Sequence, residues 1–284
     1  MIKGELKGSN KRTCSVVLGT PEILKKIMLF SPHKECTVSA RVSSTWNPIA
    51  LDVLWYELPS VYPLLELLAP LGWDSAQELG FPKFVNPLDW EHFHSYAQRV
   101  RYVTWDGGEH SKPQKGYTGG HLSWIVFSNI YLDNPTVGPL LPNLSTLRWT
   151  VRNNTTALQL LPFLFGSIKD LQLDFRKQCS SETVNSILHR LGTREPGIIN
   201  FHLSTHHDVD KVDKSLAACL QHTTELQMVM LLRRFGAPRV VGALKDLKHL
   251  HSIFLVLRLV DGRAKGSLSL VSNGICSSMH LAPP

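Results

Sequence analysis

Leu144-Ser-Thr-Leu147-Arg-Trp149, Ile168-Lys-Asp-Leu171-Gln-Leu173, Ile198-Ile-Asn-Phe201-His-Leu203 and Thr223-Thr-Glu-Leu226-Gln-Met228 are four versions of one apolar-x-x-apolar-x-apolar core. A looser fifth starts at Leu247 and Leu250 and continues to Ile253 and Leu255. The middle residues, 147, 171, 201, 226 and 250, are separated by 24, 30, 25 and 24 residues. Apolar positions two apart share a face of an extended strand, so each core predicts a short half-buried strand. Between the cores, residues 180–191 and 208–220 are polar-led, with apolar residues at helical spacing. Asp208 or Asp210 is placed to cap the second of these helices. One strand with its returning helix cannot bury its own apolar face, so several such units must stack.

A period of 20–29 residues with this core is the pattern of leucine-rich repeats. The expectation is an irregular repeat solenoid of class α/β over residues 141–258, with Leu147, Leu171, Phe201, Leu226 and Leu250 as its core. From residue 259 to 284 the chain is rich in Ser and Gly and loses periodicity. That composition predicts a disordered tail.

Upstream, residues 16–71 read as short helices. Pro21 stands where a first helical turn tolerates proline, and Ile23, Leu24, Ile27, Met28 and Phe30 follow at helical spacing. Ser31-Pro32 closes that helix. A second helix is expected over residues 34–44, and a third places Trp46, Ile49, Ala50, Val53 and Leu54 on one face. Residues 72–140 read as an irregular linker region. Within it Val100, Val103 and Trp105 suggest a strand, and residues 106–120, with five glycines, form a long loop.

The chain has 284 residues, 43% hydrophobic and 19% charged, enough to bury a sizeable core. Its formal charge of +7 first suggests nucleic acid. Residues 1–13 account for +3 and residues 233–284 for +6, leaving −2 on the other 219. The body is therefore near neutral, and no aromatic residues are interleaved with the basic ends, so no nucleic-acid partner is expected. Residues 1–15 read as a flexible basic lead. Five scattered cysteines, with no C-x-x-C pair, fit a reducing compartment. Without an apolar leader or a long apolar run, a soluble cytoplasmic or nuclear protein with no membrane partner is expected.

Three blocks now gain meaning together. Thr20-Pro-Glu-Ile-Leu-x-x-Ile-Met-x-Phe30, Ala40-Arg-Val-Ser-Ser-Thr-Trp46 and Ile49-Ala50-x-x-x-Leu54-Trp55 occur in that order. This resembles the F-box, and an F-box followed by irregular repeats is similar to the F-box-like proteins of mushroom-forming fungi. The resemblance covers the chain to about residue 255. It implies docking on the Skp-family adaptor of a cullin ubiquitin ligase, with the repeats binding a protein target for ubiquitination. Pro21, Ile23, Leu24, Ile27 and Val42 would meet the adaptor, while Trp46, Ile49 and Leu54 would form the F-box core. Thr20 and Ser43 depart from the usual Leu and Cys. The alternative is therefore a repeat scaffold with a degenerate F-box and no ligase role.

No enzyme, cofactor or metal is expected. His202, His206, His207, Asp208, Asp210 and Asp213 form a dense cluster without H-E-x-x-H or EF-hand spacing. His92/His94 and His249/His251 lack a third ligand. No G-x-S-x-G, P-loop or G-x-G-x-x-G occurs.

Overall fold

A computed structural model describes residues 19–73, 78–82, 85–106, 121–134, 138–164, 167–193, 197–232, 238–258 and 265–271. The chain divides into two compact units: Met1–Leu58 with Arg99–Arg101, and Pro59–Gln98 with Tyr102–Pro284.

The first unit has helices α1 (Pro21–Leu29), α2 (His33–Val42) and α3 (Asn47–Leu54), then the short strand β1 (Glu57–Leu58). Pro21 and Pro48 occupy first turns, where a missing N–H costs least. Its interior is small: Leu24, Met28, Cys36 and Ala50 are buried, and Ala40, Trp46, Ile49, Val53 and Leu54 pack around them half-buried. Arg99 ties residues 99–101 to this unit through an ion pair with Asp52 and a hydrogen bond to the Pro48 carbonyl at 3.2 Å.

The second unit begins with α4 (Tyr62–Leu65), β2 (Gly72–Trp73), β3 (Glu78–Gly80), α5 (Pro87–Ala97), β4 (Tyr102–Trp105), β5 (His121–Leu122) and α6 (Trp124–Asp133). It continues with β6 (Thr146–Asn153), α7 (Asn154–Leu160), β7 (Asp170–Gln178), α8 (Ser181–Thr193), β8 (Asn200–Thr205) and α9 (Asp213–His222). It ends with β9 (Met228–Leu232), α10 (Pro238–Lys245), β10 (Ser252–Arg258) and β11 (Lys265–Val271). β2, β3 and β5 form a small sheet. The large sheet runs β4-β6-β7-β8-β9-β10-β11 in chain order, parallel until β11 joins antiparallel to β10.

Strand order that follows chain order, with crossovers of uniform hand, puts every connecting helix on one face. Burial agrees. Leu147, Trp149 and Val151 on β6, Leu171, Leu173 and Phe175 on β7, and Phe201 and Leu203 on β8 are at most 3% exposed, whereas the residues between them are half-buried or exposed. At the strand entries the N–H groups of Lys169, Ile199, Gln227 and His251 donate to the carbonyls of Ser145, Lys169, Ile199 and Gln227, each at 2.8 Å. Asn153 ends β6 and caps α7. Its side chain accepts from the Thr156 N–H at 2.9 Å, while the Thr156 hydroxyl accepts from the Asn153 N–H at 3.0 Å.

The α/β class is as expected, but the F-box followed by an irregular leucine-rich-repeat solenoid over 141–258 is corrected. The sheet takes in β4 upstream of that span and β11 beyond it, and it belongs to one compact α/β unit that starts at Pro59. Periodicity counts strands; it does not show where a sheet begins or ends. Residues 72–140, read as linker, contribute α5, β4 and α6, whose Trp90, Phe93, Val103, Trp105, Val126, Phe127 and Ile130 are buried. Residues 265–271, read as tail, form β11. The first unit ends at Leu58, not near residue 71. The basic lead 1–15 and loop residues 107–120 lie outside the described residues.

The repeat core also needs a change of register. Leu147, Leu171, Phe201, Val229 and Ile253 face one another across the strands. Leu226 and Leu250 are buried, but they precede Val229 and Ile253 by the same three residues that separate Leu144 from Leu147. Among the described residues no helix is long and apolar enough to cross a membrane.

Candidate functional site

Two surfaces stand out, one in each unit. In the first, the helices turn apolar side chains outward: Ile23 is 39% exposed, Ile27 44%, Phe30 91% and Val42 66%, with Leu29 and Val38 also exposed. Ile23 and Ile27 share a face of α1, which Phe30 extends at i+7 as the helix C-cap, and Val38 and Val42 share a face of α2. Pro21 is exposed beside them. Leu24 is corrected: it is 3% exposed inside the helical core, so it is not available to a partner. The F-box resemblance assigns Ile23, Ile27 and Val42 to the adaptor but not Leu29, Phe30 or Val38, which are exposed with them. A unit with so few enclosed residues and this much exposed apolar surface is suited to association.

The second surface is the open face of the large sheet. Successive strands bring Tyr102, Thr146, Asp170, Asn200 and Met228 into one row, and Thr104, Arg148, Gln172, His202, Met230 and Phe254 into the next. The face passes from basic and hydroxyl groups on β6, through acidic groups on β7, to apolar side chains on β9 and β10. Arg148 stacks over the Tyr102 ring, 5.1 Å from its centroid. Asp174 pairs with Arg176 at 3.1 Å.

His202 occupies the middle of this face, and its Nε2 is buried without a hydrogen-bond partner. Burial lowers its pKa from 6.5; nearby Asp174 and Asp170 oppose the shift and Arg148 adds to it. His94, on α5, is lowered by burial as well. A histidine with a depressed folded pKa takes up its proton more readily when unfolded. Its contribution is therefore full above about pH 6.5 and is lost as pH falls towards the folded value. Denaturant midpoints should decline as pH drops below 6.5, and His202→Gln should flatten part of that decline. An unchanged slope in the variant would exclude His202 as a source.

The histidine and acid clusters do not converge on a metal: among the described residues no group of three or more His, Cys, Asp or Glu side chains has ligand geometry. His207 instead contacts the Cys179 carbonyl, and Asp213 lies 3.6 Å from Arg239. Asp208 and Asp210 do not cap α9, which begins after Val212 without a side-chain cap. His92 and His94 lie on a helix, where a spacing of two separates them. Cys179 and Cys219 are buried, which pushes their thiols up to about 11 and about 12 and makes them poor nucleophiles.

No protein-family model matches the sequence, and no curated protein matches it either.

Proposed function

We propose that this chain is a non-enzymatic receptor. Its helical unit docks on the Skp-family adaptor of a cullin ubiquitin ligase, and the open sheet face of its second unit holds a protein target for ubiquitination. One observation carries this reading: Ile23, Ile27 and Val42, which the F-box resemblance assigns to the adaptor, stand outward on helices whose small core is formed by Leu24, Met28, Cys36 and Ala50. The function is positioning. Holding a target beside the ligase raises its effective concentration there, and the receptor itself breaks no bond. It requires no cofactor or metal and engages neither nucleic acid nor membrane. The site of action is the cytoplasm or nucleus, where such ligases work.

The second reading, a scaffold without a ligase role, draws on Thr20 and Ser43. The Ser43 hydroxyl is 2.7 Å from that of Thr45, so a polar pair stands where the family has a thiol. Co-purification with the adaptor separates the two. Wild type should bind, and Ile23→Asp and Ile27→Asp should each weaken binding about tenfold, since each removes a half-exposed aliphatic contact and adds a charge. Failure of the wild type to bind would leave the scaffold reading.

A further inference from the structure

The open face of the sheet carries a guanidinium that the fold does not consume. Arg148 is exposed in the middle of β6 and rests on the Tyr102 ring. It forms no hydrogen bond or ion pair among the described residues. The other arginines that β6 and β7 place on this face are occupied: Arg152 donates to the Asp106 carbonyl at 2.7 Å, and Arg176 pairs with Asp174. Stacking on the ring orients Arg148 without satisfying its N–H fork.

Groups able to donate hydrogen bonds flank this fork directly, and the carboxylates of Asp170 and Asp174 stand diagonally across on β7, opposite Thr146 and Thr150. The strand register sets Thr104 on one side of Arg148 and Gln172 on the other. Thr146 and Thr150 flank it on its own strand and face. A fixed cation among hydroxyl and amide donors matches a carboxylate, which only accepts hydrogen bonds. Asp170 and Asp174, on the same strand as Gln172, repel any acid not held directly on the Arg148 fork, which limits this part of the face to one carboxylate. Further across, Met228, Met230 and Phe254 are half-buried and provide an apolar floor. With strands about 4.8 Å apart, that floor begins about 14 Å from Arg148, which an extended segment crosses in roughly four to six residues.

We propose that the open face binds an extended segment of a partner protein through one Asp or Glu carboxylate seated on Arg148, with apolar side chains a few residues away on Met228, Met230 and Phe254. This rests on the target-binding reading of the sheet. The adaptor experiment tests the helical unit separately, so one can fail without the other.

The test is selection of random linear peptides displayed on phage against the immobilised full-length chain. The expected pool fixes an acidic residue and keeps apolar residues about four to six positions from it. A peptide from that pool should lose about tenfold or more in affinity to Arg148→Met, consistent with losing a charge-assisted bond. Repeating the selection on Arg148→Glu should bring Lys or Arg to the same position. Arg176→Met, which also removes one positive charge from the face, should leave affinity within about twofold. Thermal melts superimposable on wild type verify that the variants fold. The proposal is overturned by a pool with no acidic position, by binding indifferent to both Arg148 variants, by an equal loss with Arg176→Met, or by no enrichment at all.

Discussion

Trp149→Ala is expected to cost about 3–5 kcal/mol of unfolding free energy, read from the denaturant midpoint. Trp149 is 1% exposed on the inner face of β6, in register between Trp105 and Leu173. Its ring lies 5.7 Å from that of Trp105 and 5.1 Å from that of Phe163. Alanine removes one of the two indoles of this group and leaves a void bounded by Trp105 on β4, Leu173 on β7 and Phe163 after α7. Neighbouring strands hold the backbone, so the walls cannot collapse to fill it. Trp149→Phe should cost much less. The indole Nε1 is buried without a hydrogen-bond partner, a penalty of about 1–3 kcal/mol that phenylalanine removes while keeping most of the ring contact. The two variants should thus differ by more than their difference in volume suggests. A Phe variant as unstable as Ala would mean that the N–H is satisfied after all, or that the site demands the full indole shape.

The strands around Trp149 were the legible part of this sequence. Leu147, Leu171 and Phe201 follow polar neighbours in strict alternation, and each falls in the strand that its spacing predicts. At β9 the strand position lies three residues beyond Leu226, inside Met228 to Leu232, a run that is apolar throughout. Either phase of alternation fits such a run, and only pairing with Phe201 and Ile253 selects Val229. α5 and α6 carried usable signals in Trp90, Phe93 and Ala97 at i, i+3 and i+7 and in Val126, Phe127 and Ile130. The Pro- and Gly-rich stretches around them obscured those short helices. β11 similarly shows Leu268 and Leu270 alternating with Ser267 and Ser269 inside a segment whose composition suggests disorder.

The surfaces were less legible than the strands for a geometric reason. Ile23, Leu24 and Ile27 are equally apolar, and a one-dimensional pattern does not say which of two packed helix faces is the outer one. Only the enclosure of Leu24 by Met28, Cys36 and Ala50 decides it. Arg148 was invisible as a site because Thr104 and Gln172 are distant in sequence and become its neighbours only through strand register.

That register can be tested on β7 by a pair of adjacent substitutions. Leu173 is fully buried between Trp149 and Leu203, whereas Gln172 is half-buried on the open face between Arg148 and His202. Leu173→Ala should cost about 2–5 kcal/mol, the range for a buried leucine whose surroundings relax only partly. Gln172→Ala should stay within about 0.5 kcal/mol, because nothing enclosed depends on its amide. Equal losses at the two positions would contradict a sheet buried on one face only. Leu173→Asp sharpens the contrast. A carboxylate there would stand in register between Trp149 and Leu203, so it must either be desolvated or take up a proton. With a total stability of about 5–15 kcal/mol, that substitution should leave the sheet unfolded at neutral pH, whereas Gln172→Asp, facing outward, should not.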